Sequence, residues 1–191
     1  YMDKSLLESM RVVALPTKTN FRGITVREVA LFRGEYGWGE FSPFLEYGNQ
    51  ECVPWLECAI EAATQPKPQL FRSEVKVNGT IPALTEKSEI SRLVDSYPGV
   101  ETFKVKVGAD LQADLVRLAD VKSLRPQARL RIDVNGSWSV AQAITNLHAI
   151  HEHVGPLEYV EQPCETLDEL RELKEKIGVD IPIAGDEIIR K

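Results

Sequence analysis

Apolar and polar residues change rhythm about a third of the way along the chain. Before that point, residues 11–15 and 26–32 alternate or cluster β-branched and apolar side chains, and Pro16 and Arg22-Gly23 punctuate between them. This predicts two strands, and a short run over 36–41 predicts a third that completes a meander. Val53, Leu56, Ala59, Ile60 and Ala63 then recur at helical spacing, which predicts a helix over 51–63. Gln65-Pro66-Lys67-Pro68 stops that helix and forms a stiff connector. The boundary is placed there, giving a small α+β domain over 1–68 and a second domain over 69–191.

In the second domain the pattern becomes strand, helix, strand, helix. Short apolar runs at 75–77, 103–107, 130–134, 159–161 and 181–184 are separated by charged segments of helical period at 111–123, 140–151 and 167–177. Alternation of this kind means βαβ units and a parallel sheet. The expected strand ends at Val77, Lys106, Asp133, Glu161 and Asp186 are 29, 27, 28 and 25 residues apart. A (β/α)₈ barrel spends roughly 31 residues per unit, so the steps suit an incomplete barrel of about five strands. A doubly wound open sheet allows the same steps, but Gly37-Trp38-Gly39 lacks a third glycine and lies in the first domain, so no dinucleotide loop is present where that fold needs one.

Four successive strand ends carry charge: Lys104 and Lys106, then Asp133 and Asn135, then Glu161, then Asp186 and Glu187. In a barrel these ends converge on one face. Residues two apart on a strand leave the same side, so Lys104 and Lys106 pair, as do Asp133 and Asn135. Three carboxylates from adjacent strands repel one another in a low-dielectric pocket unless a cation neutralises them, and oxygen ligands select a hard ion, Mg²⁺ or Mn²⁺. A lysine beside such an ion has its charged form disfavoured and can take a proton. The implied chemistry is proton abstraction next to a carboxylate, with Asp133, Glu161 and Asp186 as ligands and a lysine of the pair as the base. A Schiff-base aldolase using Lys106 or Lys104 is the alternative from another enzyme class.

Composition narrows the partners. The 191 residues carry a net charge of −6, which argues against nucleic acid and anionic membranes and leaves a small molecule as the default partner, a carboxylate on the chemistry above; the oligomeric state is left open. Cys52, Cys58 and Cys164 form no CxxC pair, and no signal-peptide pattern or long apolar run occurs, so a cytoplasmic protein is expected. His148, His151 and His153 fall at the end of a helix, on the barrel face opposite the charged strand ends, and read as surface residues. Trp38, Trp55 and Trp138 read as core or domain-interface anchors.

The segments Phe103-Lys104-Val105-Lys106-Val107-Gly108, Arg131-Ile132-Asp133-Val134-Asn135, Tyr159-Val160-Glu161-Gln162-Pro163-Cys164 and Ile183-Ala184-Gly185-Asp186-Glu187 resemble the enolase superfamily. Use of a lysine or histidine base with magnesium is known for that superfamily. Within it, Phe21-Arg22-Gly23, Gly37-Trp38-Gly39-Glu40-Phe41 and Phe44-Leu45-Glu46-Tyr47 are similar to the capping loops of the actinobacterial o-succinylbenzoate synthase group. The resemblance implies a lyase of menaquinone biosynthesis built as an α+β capping domain on a (β/α)₇β barrel. Lys106 would remove the α-proton and return it to the departing hydroxyl on the same face, through an enediolate, and Lys104 would assist. Asp133, Glu161 and Asp186 would ligate Mg²⁺, Asn135 and Glu187 would support them, and Arg22, Phe44, Leu45 and Tyr47 would close over the substrate. An N-succinylamino-acid racemase or dipeptide epimerase of the same superfamily is the nearest rival.

Gly185 and Ile188 stand where the group usually has alanine and serine. A second catalytic lysine, on the sixth strand, would fall beyond Lys191. The chain is therefore expected to be part of a protein about 80 to 130 residues longer, and an inactive fragment is the non-enzymatic alternative.

Overall fold

In the computed structural model, which describes residues 3–21 and 23–189, the chain divides into two units, Tyr1–Ser73 and Glu74–Lys191. The first begins with a short helix, α1 (Lys4–Ser9), followed by β1 (Arg11–Phe21), β2 (Ile24–Arg33), β3 (Trp38–Phe41) and α2 (Asn49–Thr64). The strands form an antiparallel sheet in the order β1-β2-β3. Leu6, Phe32, Ala59 and Ala63 make its core, with α2 lying on β3. That approach needs Gly39, where any Cβ would run into the Ala59 carbonyl and the Phe32 ring. Trp38 and Trp55 are not core residues of this unit: they are 59% and 42% exposed.

The second unit runs β4 (Gly79–Ile81), α3 (Lys87–Asp95), β5 (Thr102–Lys106), α4 (Leu111–Leu124), β6 (Arg129–Asp133), α5 (Val140–Val154), β7 (Tyr159–Glu161), α6 (Leu167–Lys176) and β8 (Ile183–Ala184), then a 3₁₀ turn at Glu187–Ile189. The five strands are parallel and adjacent in chain order, an arc of a (β/α) barrel. Phe103, Val105, Leu130, Ile132 and Val160 point to one face and pack with Ile90, Val94, Leu118, Val121, Leu147, Ile150 and Leu173 from the helices. Period two then puts Lys104, Lys106, Arg131, Asp133 and Glu161 on the other face. Each long helix is entered through a side-chain cap: Asp110 accepts from the Gln112 and Ala113 N–H groups, and Ser139 and Thr166 each close a capping box.

The expected strand at 75–77 is not formed. Val75 and Val77 are 72% and 73% exposed, and pairing starts at Gly79, where a Cβ would stand 2.7 Å from the Phe103 ring. β-Branched residues favour strands only when a packed surface receives them, and here the buried anchor is Ile81. The first strand end thus moves from Val77 to Ile81. Two helices, α1 and α3, also lie outside the expected set.

Candidate functional site

Register brings the charged strand ends together. Lys106 pairs with Asp133 across β5 and β6, and Asp133 with Glu161 across β6 and β7, so the three leave the sheet side by side. Lys104, one layer below, reaches up between them: its Nζ lies 3.0 and 3.2 Å from the two Glu161 carboxylate oxygens and 3.1 Å from Asp133 Oδ2. Lys106 Nζ donates to the same Oδ2 at 2.5 Å and to Asn135 Oδ1 at 2.8 Å. Asn135 continues the chain, its backbone N–H donating to Asp133 Oδ1 at 3.3 Å and its side-chain Nδ2 to Glu187 Oε1 at 2.9 Å.

Asp133 is 1% exposed, so its charge depends on these partners. Burial alone would raise its pKa, but the Lys106 hydrogen bond and charge, followed by those of Lys104, hold it below the ordinary aspartate value. The opposite holds for Lys104: burial works to lower its pKa, and the hydrogen bond to Glu161 with the charge of Asp133 raises it above the lysine norm. Lys104 is therefore kept charged, which suits it to holding anions rather than to taking protons.

Two features mark where charge is left over. Glu187 Oε2 is buried without a hydrogen-bond partner. Asp133, Glu161, Asp186 and Glu187 also outnumber the two ammonium groups of Lys104 and Lys106, and Arg131 on the same sheet face is taken up by Glu158, leaving an excess of two negative charges. An all-carboxylate donor set with that excess fits a hard divalent cation. As the side chains stand, no group of three His, Cys, Asp or Glu among the described residues converges closely enough to share an ion. The lysines engage the Asp133 and Glu161 oxygens that an ion would use, and the Asp186 side chain contacts neither of them.

Backbone strain concentrates here too. Asn135 and Gln162, at φ of 53° and 41°, are the only non-glycine residues with positive φ among those described, and each follows a charged strand end. A left-handed side-chain-bearing residue costs on the order of 1–3 kcal/mol and persists where surrounding contacts fix it.

The remaining candidates are described within their own units. Phe44 and Tyr47 meet edge to face at 5.5 Å, Tyr47 lies 5.8 Å from Trp55, and the Arg27 guanidinium sits 4.4 Å above the Phe44 ring, all within the first unit. Leu45 between them is 89% exposed, and Arg22 falls outside the described residues. His148 is not a plain surface residue, since its Nε2 lies 2.8 Å from the Ile177 carbonyl oxygen; His151 is half-buried and His153 exposed. Cys164 is fully buried, and burial, with Glu169 and Glu172 nearby, pushes its thiol up to about 11, so it is no nucleophile.

Two sets of residues bearing on the site escape a reading of sequence. Arg117, 4% exposed, pairs with buried Asp114 at 2.7 Å and donates to the carbonyls of Lys106 and Leu84, while Asp114 accepts from the Gly108 N–H. An Asp and an Arg three apart on a helix look like an ordinary surface pair. The second is Gln162, 1% exposed, whose neutral amide carries no charge pattern to notice.

Comparison with known proteins bears on what this face does. Residues 12–63 match the family model described as Enolase N-terminal domain-like, and residues 87–191 match Enolase C-terminal domain-like. An o-succinylbenzoate synthase of Mycobacterium ulcerans is 47% identical over 189 residues, covering 97% of this chain and 56% of its own length. Thus the chain spans little more than half the length of the curated relatives it matches. Among solved structures, a substrate-liganded L-Ala-D/L-Glu epimerase from Bacillus subtilis superposes with a TM-score of 0.71 at 20% identity, covering 93% of this chain and 66% of that one. An o-succinylbenzoate synthase from Thermosynechococcus elongatus, complexed with Mg in its active site, superposes with a TM-score of 0.59 at 22% identity, covering 93% and 68%. At such identities the two structures speak for the fold.

Proposed function

The chain belongs to the enolase superfamily, and from that premise we propose that its protein is an o-succinylbenzoate synthase, a carbon–oxygen lyase that dehydrates 2-succinyl-6-hydroxy-2,4-cyclohexadiene-1-carboxylate in menaquinone biosynthesis. The observation that carries this reading is the 47% identity to a curated synthase across 97% of the chain. The pair of lysines set on the carboxylate face supports it chemically.

Asp133, Glu161 and Asp186 would hold Mg²⁺, with Mn²⁺ as a substitute of the same hardness. When bound, the ion supplies positive charge to the substrate carboxylate as negative charge develops there. Lys106 Nζ, at the end of β5, takes the α-proton and gives it to the hydroxyl that leaves, so that one C–H and one C–O bond break and water departs from a single face. Lys104, held charged, contributes electrostatic stabilisation. Asn135 ties Lys106 to Glu187 and so fixes the base between two carboxylates. From the first unit, Arg22, Phe44, Leu45 and Tyr47 would cover the substrate and exclude water. Three free cysteines suit a cytoplasmic setting, and no described helix is long and apolar enough to cross a membrane. Nothing in the comparisons favours the inactive-fragment alternative.

The test is a pair of assays on the full-length protein. Dehydration of the cyclohexadiene carboxylate is expected, abolished by EDTA and restored by Mg²⁺. Exchange of an N-succinylamino-acid or dipeptide α-proton without dehydration overturns the synthase reading in favour of a racemase or epimerase. Activity that survives EDTA and is trapped by borohydride points to Schiff-base chemistry instead.

A further inference from the structure

Asp133 and Glu161 are held through their own carboxylates, by Lys104 and Lys106. Asp186 is held differently. Its carboxylate makes no hydrogen bond or ion pair with a described residue, and the strand that delivers it, β8, is two residues long. Only Val160↔Ile183 and Glu161↔Ala184 pair there, after which the backbone leaves the sheet.

Gln162 takes over where the ladder stops. Its side-chain Oε1 accepts from the Asp186 N–H at 2.9 Å and from the Ile188 N–H at 3.4 Å. Its Nε2 donates to the Cys164 carbonyl at 2.9 Å. On the backbone, its N–H donates to the Ala184 carbonyl at 2.8 Å and its own carbonyl accepts from the Gly136 N–H at 2.6 Å. One buried residue thus ties together the segments that follow Asp133, Glu161 and Ala184. Its left-handed backbone is part of the arrangement.

We propose that Gln162 is a positioning residue for the divalent cation: its side-chain amide oxygen fixes the turn carrying Asp186 against the end of β7, so that ion affinity depends on a group that never touches the ion. The inference rests on the reading of Asp133, Glu161 and Asp186 as ligands. The residue type follows from the partners, because the site asks for an acceptor facing two N–H groups and a donor facing a carbonyl. Among side chains of this length a neutral amide supplies both. Methionine has similar length but leaves the two N–H groups and the carbonyl unpaired.

The experiment is Mg²⁺ titration calorimetry on the full-length protein and its Gln162→Met variant, with circular dichroism in EDTA to establish that the variant is folded. Loss of an outer-shell hydrogen bond to a ligand segment characteristically weakens metal affinity about 10–100-fold, and that loss is expected here. A folded variant that binds Mg²⁺ within about threefold of the parent overturns the proposal, being far below that range. A parent that binds no Mg²⁺ overturns the ligand reading itself, and the inference with it. Should the variant not fold, amide hydrogen exchange in the metal-free parent decides. Protection of the Asp186 N–H is expected, and exchange at the rate of an unstructured peptide overturns the assignment.

Discussion

Lys104 and Lys106 lie two residues apart on one strand yet keep different company. Lys104 contacts both Asp133 and Glu161, whereas Lys106 contacts Asp133 and the neutral amide of Asn135. The division predicts opposite phenotypes. Lys106→Met is expected to lower kcat by about 10²–10⁴ with little change in KM, the range for losing a general base. Lys104→Met is expected to tighten Mg²⁺ binding, because the ion no longer competes with an ammonium for the Asp133 and Glu161 oxygens. Steady-state kinetics and calorimetry on the two full-length variants check both. Equal kcat losses with unchanged ion affinity would show that the two lysines share one role. The alternation that puts both lysines on one face is legible in sequence, and so is the spacing of the carboxylates. Which lysine bridges which carboxylate is not, because that depends on strand register and on side-chain reach between layers. Gln162 stayed hidden for a related reason: its partners, Cys164, Asp186 and Ile188, are joined only once β7 and β8 are in place.

At the scale of elements, the buried Arg117–Asp114 pair near the start of α4 ties that helix to the end of β5, gripping the Lys106 carbonyl and the Gly108 N–H. Removing one member strands a buried charge. Arg117→Met is expected to cost about 3–5 kcal/mol in urea unfolding, and Arg117→Met with Asp114→Leu to recover most of that cost. A double variant as unstable as the single one would refute the stranded-charge account. Elements with strong local signals are readable: α4, α5 and α6 start at polar caps, and β5 and β6 alternate apolar with polar or charged residues between them. The missed ones carry only part of these signals. α3 is entered through Glu86, which makes no side-chain capping bond, and α1 is only six residues long. The sequence points to Val75 and Val77 because they have strand-forming side chains, yet these have nothing to pack against, whereas Gly79-Thr80-Ile81 becomes a strand because Phe103 and Val105 lie beside it.

For the molecule as a whole, separate family matches cover the two units, and the charged face belongs entirely to the second. Its stability should carry the signature of that face. Asp133 has a lowered folded-state pKa, so its contribution is in place above the unfolded value of 3.8 and is lost as pH falls through the lower folded value. Lys104 has a raised one, so its contribution is in place below 10.5 and is lost as pH rises through the higher folded value. Thermal unfolding in EDTA is therefore expected to be most resistant between these limits, and Asp133→Asn to flatten the acid limb. An acid limb identical in parent and variant would mean that other carboxylates govern it. The lysine clasp also sets an order of events. Carboxylates gathered at the ends of neighbouring strands would push a newly formed sheet apart, but here the compensating charge is carried by the adjoining strand of the same chain. Such a sheet can assemble without an ion, and on the proposed reading loading would become the exchange of one cation for another instead of the rescue of an unstable pocket.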